Sequence, residues 1–463
     1  MSGIRSGLAV FSGLLFAAVL VFLSPAKMAL AIVVSVILLA ILRTPMLGML
    51  LFVFLATFIP FSTFRLGIRI TLSEAALVMT WLAVAFQLLL GQRSWHIGLT
   101  EKRLIWLMLY SVVPFAVGQV VVYADGNGLV NWLRWLLNLS PLFLVPILVR
   151  DDRERDQVII AMLLGLLAML LLSVVYFVRY RDANRFIPVL TALHYAHPDA
   201  VKDIFSANFQ RMASTWVHPN LTGGVLVLFL PLAFFMAQVR RGWVQGLAIS
   251  VAVLGAASLL FSISRGAIVS LALVLLWLGW RRAPQAGRVL GVAVALVVCL
   301  VLFYPPLQHR LATTFSADNA STKVRLQEYQ KFPDAVRRYP LGIGFKTDPP
   351  PDSDLLGISN LWLSYIYKVG VPGMLLFVSV TLVWWRESRY RGWFTSLNQT
   401  RALRLGSQAG LLAALLTGLF DHYYSFTMVL VALFWTMVGI NLQLAREDVS
   451  PTRALPVIEP LPD

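Results

Sequence analysis

One cysteine, six histidines and a 13% share of charged side chains are all that 463 residues offer to several common chemistries. A lone Cys299 inside an apolar run forms no internal disulfide and no thiolate metal site. The histidines are too few, and none has the spacing of a zinc site. So little charge, set against 59% hydrophobic residues and a mean hydropathy of +0.77, excludes a soluble domain, which cannot hide that much apolar surface. Lipid is the expected solvent. The sequence pI of ≈ 10.3 invites a nucleic-acid reading. No basic module interleaved with aromatics is present, and basic helix ends on an anionic membrane account for the charge without nucleic acid.

What is there is a succession of apolar runs. They predict an all-α polytopic membrane protein of about 14 transmembrane helices, or about 12 if the first three short runs combine, in a GT-C-like arrangement. The expected organisation is N-terminal helices over 1–178, an outer loop at 179–218 and central helices over 219–304. A larger outer loop follows at 305–359, with closing helices over 360–445 and a tail at 446–463. The first run, preceded by Arg5, is read as a retained helix, because Ser24-Pro25-Ala26-Lys27 leads straight into the next run without a cleavage site.

Orientation follows from Lys and Arg in the short connections. With both termini in the cytoplasm, positions such as Arg43, Arg103, Arg150, Arg240, Arg281 and Arg404 fall inside. These connections and the termini take more than half of the 38 basic residues. The opposite short connections hold Lys27, Arg65 and Arg69, besides Arg265. The two long loops therefore lie outside. The Pro- and Asp-rich 349–354 stretch is expected to be a solvated connector and the tail from Arg446 to be disordered.

Three polar features interrupt the hydrophobic pattern on that outer side. Arg211 precedes His218-Pro219-Asn220, where proline suits a first helical turn and His218 or Asn220 suits a cap. Ser262-Ile263-Ser264-Arg265-Gly266-Ala267 splits a long apolar region at its outer turn. An arginine there either snorkels to headgroups or, with free backbone N–H groups beside it, binds an anion. The 305–359 loop has seven basic and six acidic side chains and contains an amphipathic helix around Arg325, with Leu326, Tyr329 and Phe332 as its expected apolar face. After it, Pro340-Leu341-Gly342-Ile343-Gly344 reads as a tight turn, either approaching a ligand or purely structural. Near the end, Asp421 precedes His422: a carboxylate beside an imidazole makes a proton acceptor, although an interfacial aromatic belt explains the same residues. Arg134 and Lys368, close to span ends, are weaker candidates that snorkelling explains.

In this order the motifs resemble the O-antigen ligase and polymerase superfamily of bacterial inner-membrane glycosyltransferases, over roughly residues 205–440. They are Arg211-x6-His218-Pro219-Asn220, Ser264-Arg265-Gly266-Ala267, Arg325-x3-Tyr329 and Pro340-x-Gly342-x-Gly344, followed by three last spans. The resemblance implies a glycan donor on undecaprenyl diphosphate at the periplasmic face, no cofactor and no metal. The acceptor it implies is a growing saccharide or lipid A–core. By position, Arg211, Arg265 and Arg325 become the diphosphate clamp, and Tyr329, Gly342, Gly344 and Asn360 position the glycan or the loop. Ligases of this superfamily place a histidine before an asparagine where the large loop re-enters the membrane. Here Ser359-Asn360 stands there, and serine is a poor base, so His422 with Asp421, or else His218, takes that role. The departure favours the polymerase or exopolysaccharide side.

The rival from another class is a transporter or lipid-linked glycan flippase, which predicts paired halves with broken helices and polar residues near the bilayer midplane. Polarity here gathers at the outer edge instead.

Overall fold

A computed structural model describes residues 24–66, 68–95, 97–205, 211–291, 320–346, 348–350, 357–390 and 397–449, with isolated positions 13, 295, 302, 355 and 392. The expected first span, Arg5, Cys299, most of the run at 289–304, Pro305 to Asn319, the 351–354 connector and the tail beyond Val449 lie outside the described residues.

The apolar runs form helices, as lipid demands of any backbone that must satisfy its own hydrogen bonds. In chain order these are α1 (Pro25–Arg43), α2 (Pro45–Phe58), α3 (Leu72–Leu89), α4 (Leu99–Val122), α5 (Gly126–Leu148) and α6 (Asp152–Tyr180). Then come α7 (Pro219–Val239), α8 (Gly242–Ser262), α9 (Arg265–Trp280), α10 (Ala320–Arg338), α11 (Leu361–Ser388), α12 (Gln399–Thr417) and α13 (Met428–Val449). Among the described residues eight helices are long and apolar enough to cross a membrane, α3 to α8, α11 and α13, and α2 and α9 are shorter apolar helices. The chain is a multi-pass membrane protein.

Helix starts follow local chemistry. Proline occupies the first turn of α1, α2 and α7, where its missing N–H costs nothing. Thr71 and Glu74 form a capping box on α3, and Asp151, Asn360 and Asn398 cap α6, α11 and α12. The centre of the bundle is α7, packed on α8 and α12, with α12 packed on α13. The close crossing of α7 and α12 depends on Gly406 and Gly410, since a side-chain carbon at either would collide with the backbone of Leu232 or Leu228.

One departure from the all-α expectation is a hairpin of β1 (Thr63–Leu66) and β2 (Ile68–Thr71), paired from Thr63↔Thr71 to Leu66↔Ile68. Polar and apolar residues alternate in it over only four positions per strand, too few for the sequence pattern to stand out between two apolar runs. A bridge between Ser62 and Tyr195 ties it to the segment after α6. That segment holds short helices at Ala183–Phe186, Ile187–Ala192 and Ala200–Ile204 around a small core of Phe186, Leu190, Tyr195 and Val201.

Two expectations for basic residues also change. Arg134 does not snorkel: its Nε and Nη2 lie 2.8 and 3.0 Å from the Glu74 carboxylate, with Asn138 donating to the same group. Lys368 does not reach outward either, because its Nζ donates to the Lys346 carbonyl at 2.6 Å.

Candidate functional site

The starts of α7, α9 and α13 and the end of α12 meet α10 at the end of the bundle that carries the hairpin. A cavity there is lined by Asn220, Ser264, Arg265, Gly266, Arg325, Thr417, Asp421 and Tyr423, among others. Its water-accessible volume is ≈ 30 Å³, on the order of two or three water molecules.

The α8–α9 turn positions Arg265. Ile263 takes a left-handed conformation (φ 51°), ending α8, and Ser264 starts α9. Gly223 allows this turn to pack on α7, since a side-chain carbon there would press on Ser264 and Ala267. Arg265 finds no carboxylate among the described residues, and its Nη1 is buried without a hydrogen-bond partner. A desolvated guanidinium nitrogen without an acceptor is costly, and an anion is what satisfies it.

Arg211 stands beside this turn rather than in the cavity lining. Its Nε donates to the Ser262 carbonyl at 2.7 Å and its Nη2 to Asn220 Oδ1 at 2.6 Å. It thereby satisfies a carbonyl at the C-terminus of α8 and holds Asn220 at the cavity wall. Of the three arginines expected in the clamp, two line the cavity and the third braces it.

Arg325 reaches the cavity from α10, whose expected apolar face holds at Phe332 and fails at Leu326 and Tyr329. Leu326 and Tyr329 are exposed, while Arg325, Glu328, Phe332 and Ala335 form the inward stripe. Phe332 and Ala335 pack with Ile343, Ile358 and Tyr367. Glu328 accepts from the Ser359 backbone N–H at 2.7 Å and from its hydroxyl at 3.2 Å. The serine at the position where ligases carry histidine is thus a fastening point for α10.

Asp421 and His422 lie beyond the end of α12. Asp421 Oδ1 accepts from the His422 backbone N–H at 2.9 Å, and the His422 Nδ1 is 3.3 Å away, outside hydrogen-bond geometry. The other oxygen, Oδ2, is 3.8 Å from Arg325 Nη2. Burial pushes the Asp421 carboxyl up, but His422 and Tyr423 outweigh it and hold it below the usual carboxylate range. Burial and the Asp421 charge raise the Tyr423 phenol well above its ordinary value. The His422 side chain is 43% exposed, so an incoming hydroxyl has access to it.

His218 is the N-cap of α7, its Nδ1 accepting from the Asn220 N–H at 3.1 Å, and its ring lies 6.5 Å from that of Tyr423. Its cap role fits the sequence reading and commits one ring nitrogen.

The remaining expected residues are not brought to the cavity. Gly342 and Gly344 adopt φ of 89° and 76° and fasten the loop to α11, where Gly370 (φ 79°) interrupts the helix and frees carbonyls. The N–H groups of Ile343 and Gly344 donate to the Tyr367 and Lys368 carbonyls, each at 3.0 Å. This turn is structural. Asn360 caps α11 and donates to the Leu419 carbonyl at 3.0 Å. Tyr329 sits on the outward side of α10, one turn from Arg325. Sequence reasoning passed over two site residues, Asn220 within the His218-Pro219-Asn220 motif and Tyr423 directly after the Asp421–His422 pair.

Residues 250–378 match the family model described as O-Antigen ligase. The match spans the Arg265 turn, α10 and the fastening turn, and leaves Arg211, His218, Asp421 and His422 outside it. It supports the resemblance to the O-antigen ligase and polymerase superfamily, and with it glycosyl transfer of that general type. No curated protein matches the chain.

Proposed function

From the premise that residues 250–378 are similar to O-antigen ligase, we propose that the protein transfers a glycan from undecaprenyl diphosphate to a growing polysaccharide, or to lipid A–core, at the periplasmic face of the bacterial inner membrane. Both termini are cytoplasmic in this reading, and about 14 spans carry the chain across the bilayer. The observation that carries it is the convergence of Arg265, with its unpartnered Nη1, and Arg325 on one cavity.

The acceptor hydroxyl oxygen forms a bond to the anomeric carbon while its proton passes to His422. The bond from that carbon to the diphosphate oxygen breaks, and its electron pair stays on the diphosphate. The negative charge that grows there is what guanidinium groups stabilise best when water is excluded. Arg265 and Arg325 hold it, Arg211 braces the Arg265 turn, and Asp421 orients the imidazole. Tyr329 offers an exposed ring to the glycan. No step is assigned to a metal or cofactor.

The test is the surface glycan profile of a deletion strain complemented with the wild-type gene. Chains stopped at one repeat unit in the deletion identify a polymerase, and long chains left on the lipid carrier identify a ligase. An unchanged profile defeats both and favours transport.

A further inference from the structure

We propose that Asp421 is an exchangeable counter-ion, which holds Arg325 while the site is empty and yields it to the donor's diphosphate, so that donor binding prepares the His422–Asp421 pair for the acceptor. This rests on the reading of Arg265 and Arg325 as the anion site, and it adds a positioning residue and an order of events.

The two oxygens of Asp421 have different partners. Oδ1 is fixed by the His422 backbone N–H at 2.9 Å and faces the imidazole Nδ1 at 3.3 Å. Oδ2 faces Arg325 Nη2 at 3.8 Å, beyond a direct hydrogen bond and within reach of charge attraction. A fixed oxygen keeps the carboxylate in place when the guanidinium leaves. The helix also stays, because Glu328 holds α10 to Ser359 through two hydrogen bonds at 2.7 and 3.2 Å. What is free to move is the Arg325 side chain, 28% exposed.

The charges in the cavity favour such a movement. Asp421 lines it together with Arg265 and Arg325 and presents a negative charge to any anion that enters. Arg265 on α9 repels Arg325 on α10 and has no carboxylate of its own among the described residues. The groups facing Asp421 are Arg325 on α10, His422 and Tyr423 after α12, and Asn220 on α7 through Tyr423. A diphosphate bridging Arg265 and Arg325 removes the cation from Oδ2. Asp421 then has His422 as its remaining partner for positive charge, the charge the imidazole acquires on taking the acceptor proton. An empty site has a damped base, and a loaded one has an active base.

The experiment uses the full-length protein in nanodiscs with inorganic pyrophosphate as the probe, alongside transfer from lipid-linked glycan. Asp421→Asn is expected to bind pyrophosphate about twofold to fivefold more tightly, the scale of one partly exposed ion pair, while transferring glycan at least about tenfold more slowly. A merely structural role moves both quantities in the same harmful direction. Asp421→Ser is the second variant should the first fail to fold, with thermal melting as the control. Unchanged or weaker pyrophosphate binding in the folded Asp421 variant overturns the exchange. Arg265→Ala separates the two ideas: if it binds pyrophosphate as the wild type does, the anion-site reading itself falls. If Arg265→Ala is impaired and the Asp421 variant matches the wild type, the exchange alone falls.

Discussion

Arginine in the cavity is treated differently from arginine at the far end of the helix bundle. At the end where α6 and α12 begin and α13 finishes, buried or half-buried guanidinium groups meet carboxylates directly. Arg404 lies 2.6 Å from Asp448 and Arg155 2.6 Å from Glu447, while Arg446 is 3.0 Å from Glu101 and Arg240 pairs with Asp156. In the cavity, Arg325 has one carboxylate, 3.8 Å away, and Arg265 has none among the described residues, whereas Arg134 at the same end of the bundle pairs directly with Glu74. A saturated arginine holds helices together. An unsaturated one stores binding capacity for a ligand that brings its own negative charge, at some cost to the empty protein. The contrast separates scaffold from site without reference to any family.

The contrast breaks most sharply at the base. His422→Ala is expected to lower glycan transfer by about 10²–10⁴-fold with little change in thermal stability, measured with purified protein and lipid-linked donor. A loss below about threefold moves the role of base to another group. At the scaffold end the balance reverses. Arg404→Ala removes the nearer of the two guanidinium groups on the buried Asp448 carboxylate, with Arg401 remaining at 3.2 Å, and takes both donors from the Ser388 carbonyl, which destabilises the protein by about 1–3 kcal/mol. The surviving folded protein should retain its transfer rate per molecule. A specific loss of transfer with no fall in melting temperature removes the distinction between the ends.

A smaller effect lies in pH. Asp421 titrates below its ordinary value, so it binds fewer protons folded than unfolded over the carboxylate range. The stability it contributes is full above the unfolded carboxylate value of about 3.9 and is lost as pH falls through the folded value. Thermal melts from neutral pH into that acid range should therefore converge for wild type and Asp421→Asn. Parallel curves contradict the sign.

Much of this was legible in the chain. The apolar runs gave the helices, eight of them among the described residues long and apolar enough to cross a membrane, and the order Arg211, His218, Arg265, Arg325, Asp421, His422 marked residues that the fold brings to one end. The inward face of α10 was not legible, because a hydrophobic pattern assumes that the buried side is the apolar one. Here the inward stripe begins with Arg325 and Glu328, since it faces a polar site, and Leu326 and Tyr329 turn outward. The glycines of the 342–344 turn were open to two readings for a related reason. Their role depends on the break at Gly370, some 26 residues later, whose freed carbonyls only the folded helix displays. The site roles of Asn220 and Tyr423 arise from side chains 203 positions apart, a distance no local pattern spans.

The central claim is that Arg265 awaits a diphosphate. Its most direct test is the release of undecaprenyl diphosphate from lipid-linked glycan by purified wild type and Arg265→Ala at matched folded concentration. The account predicts acceptor-dependent release by the wild type and a loss of about 10²–10³-fold in the variant. Equal rates in the two proteins would contradict it.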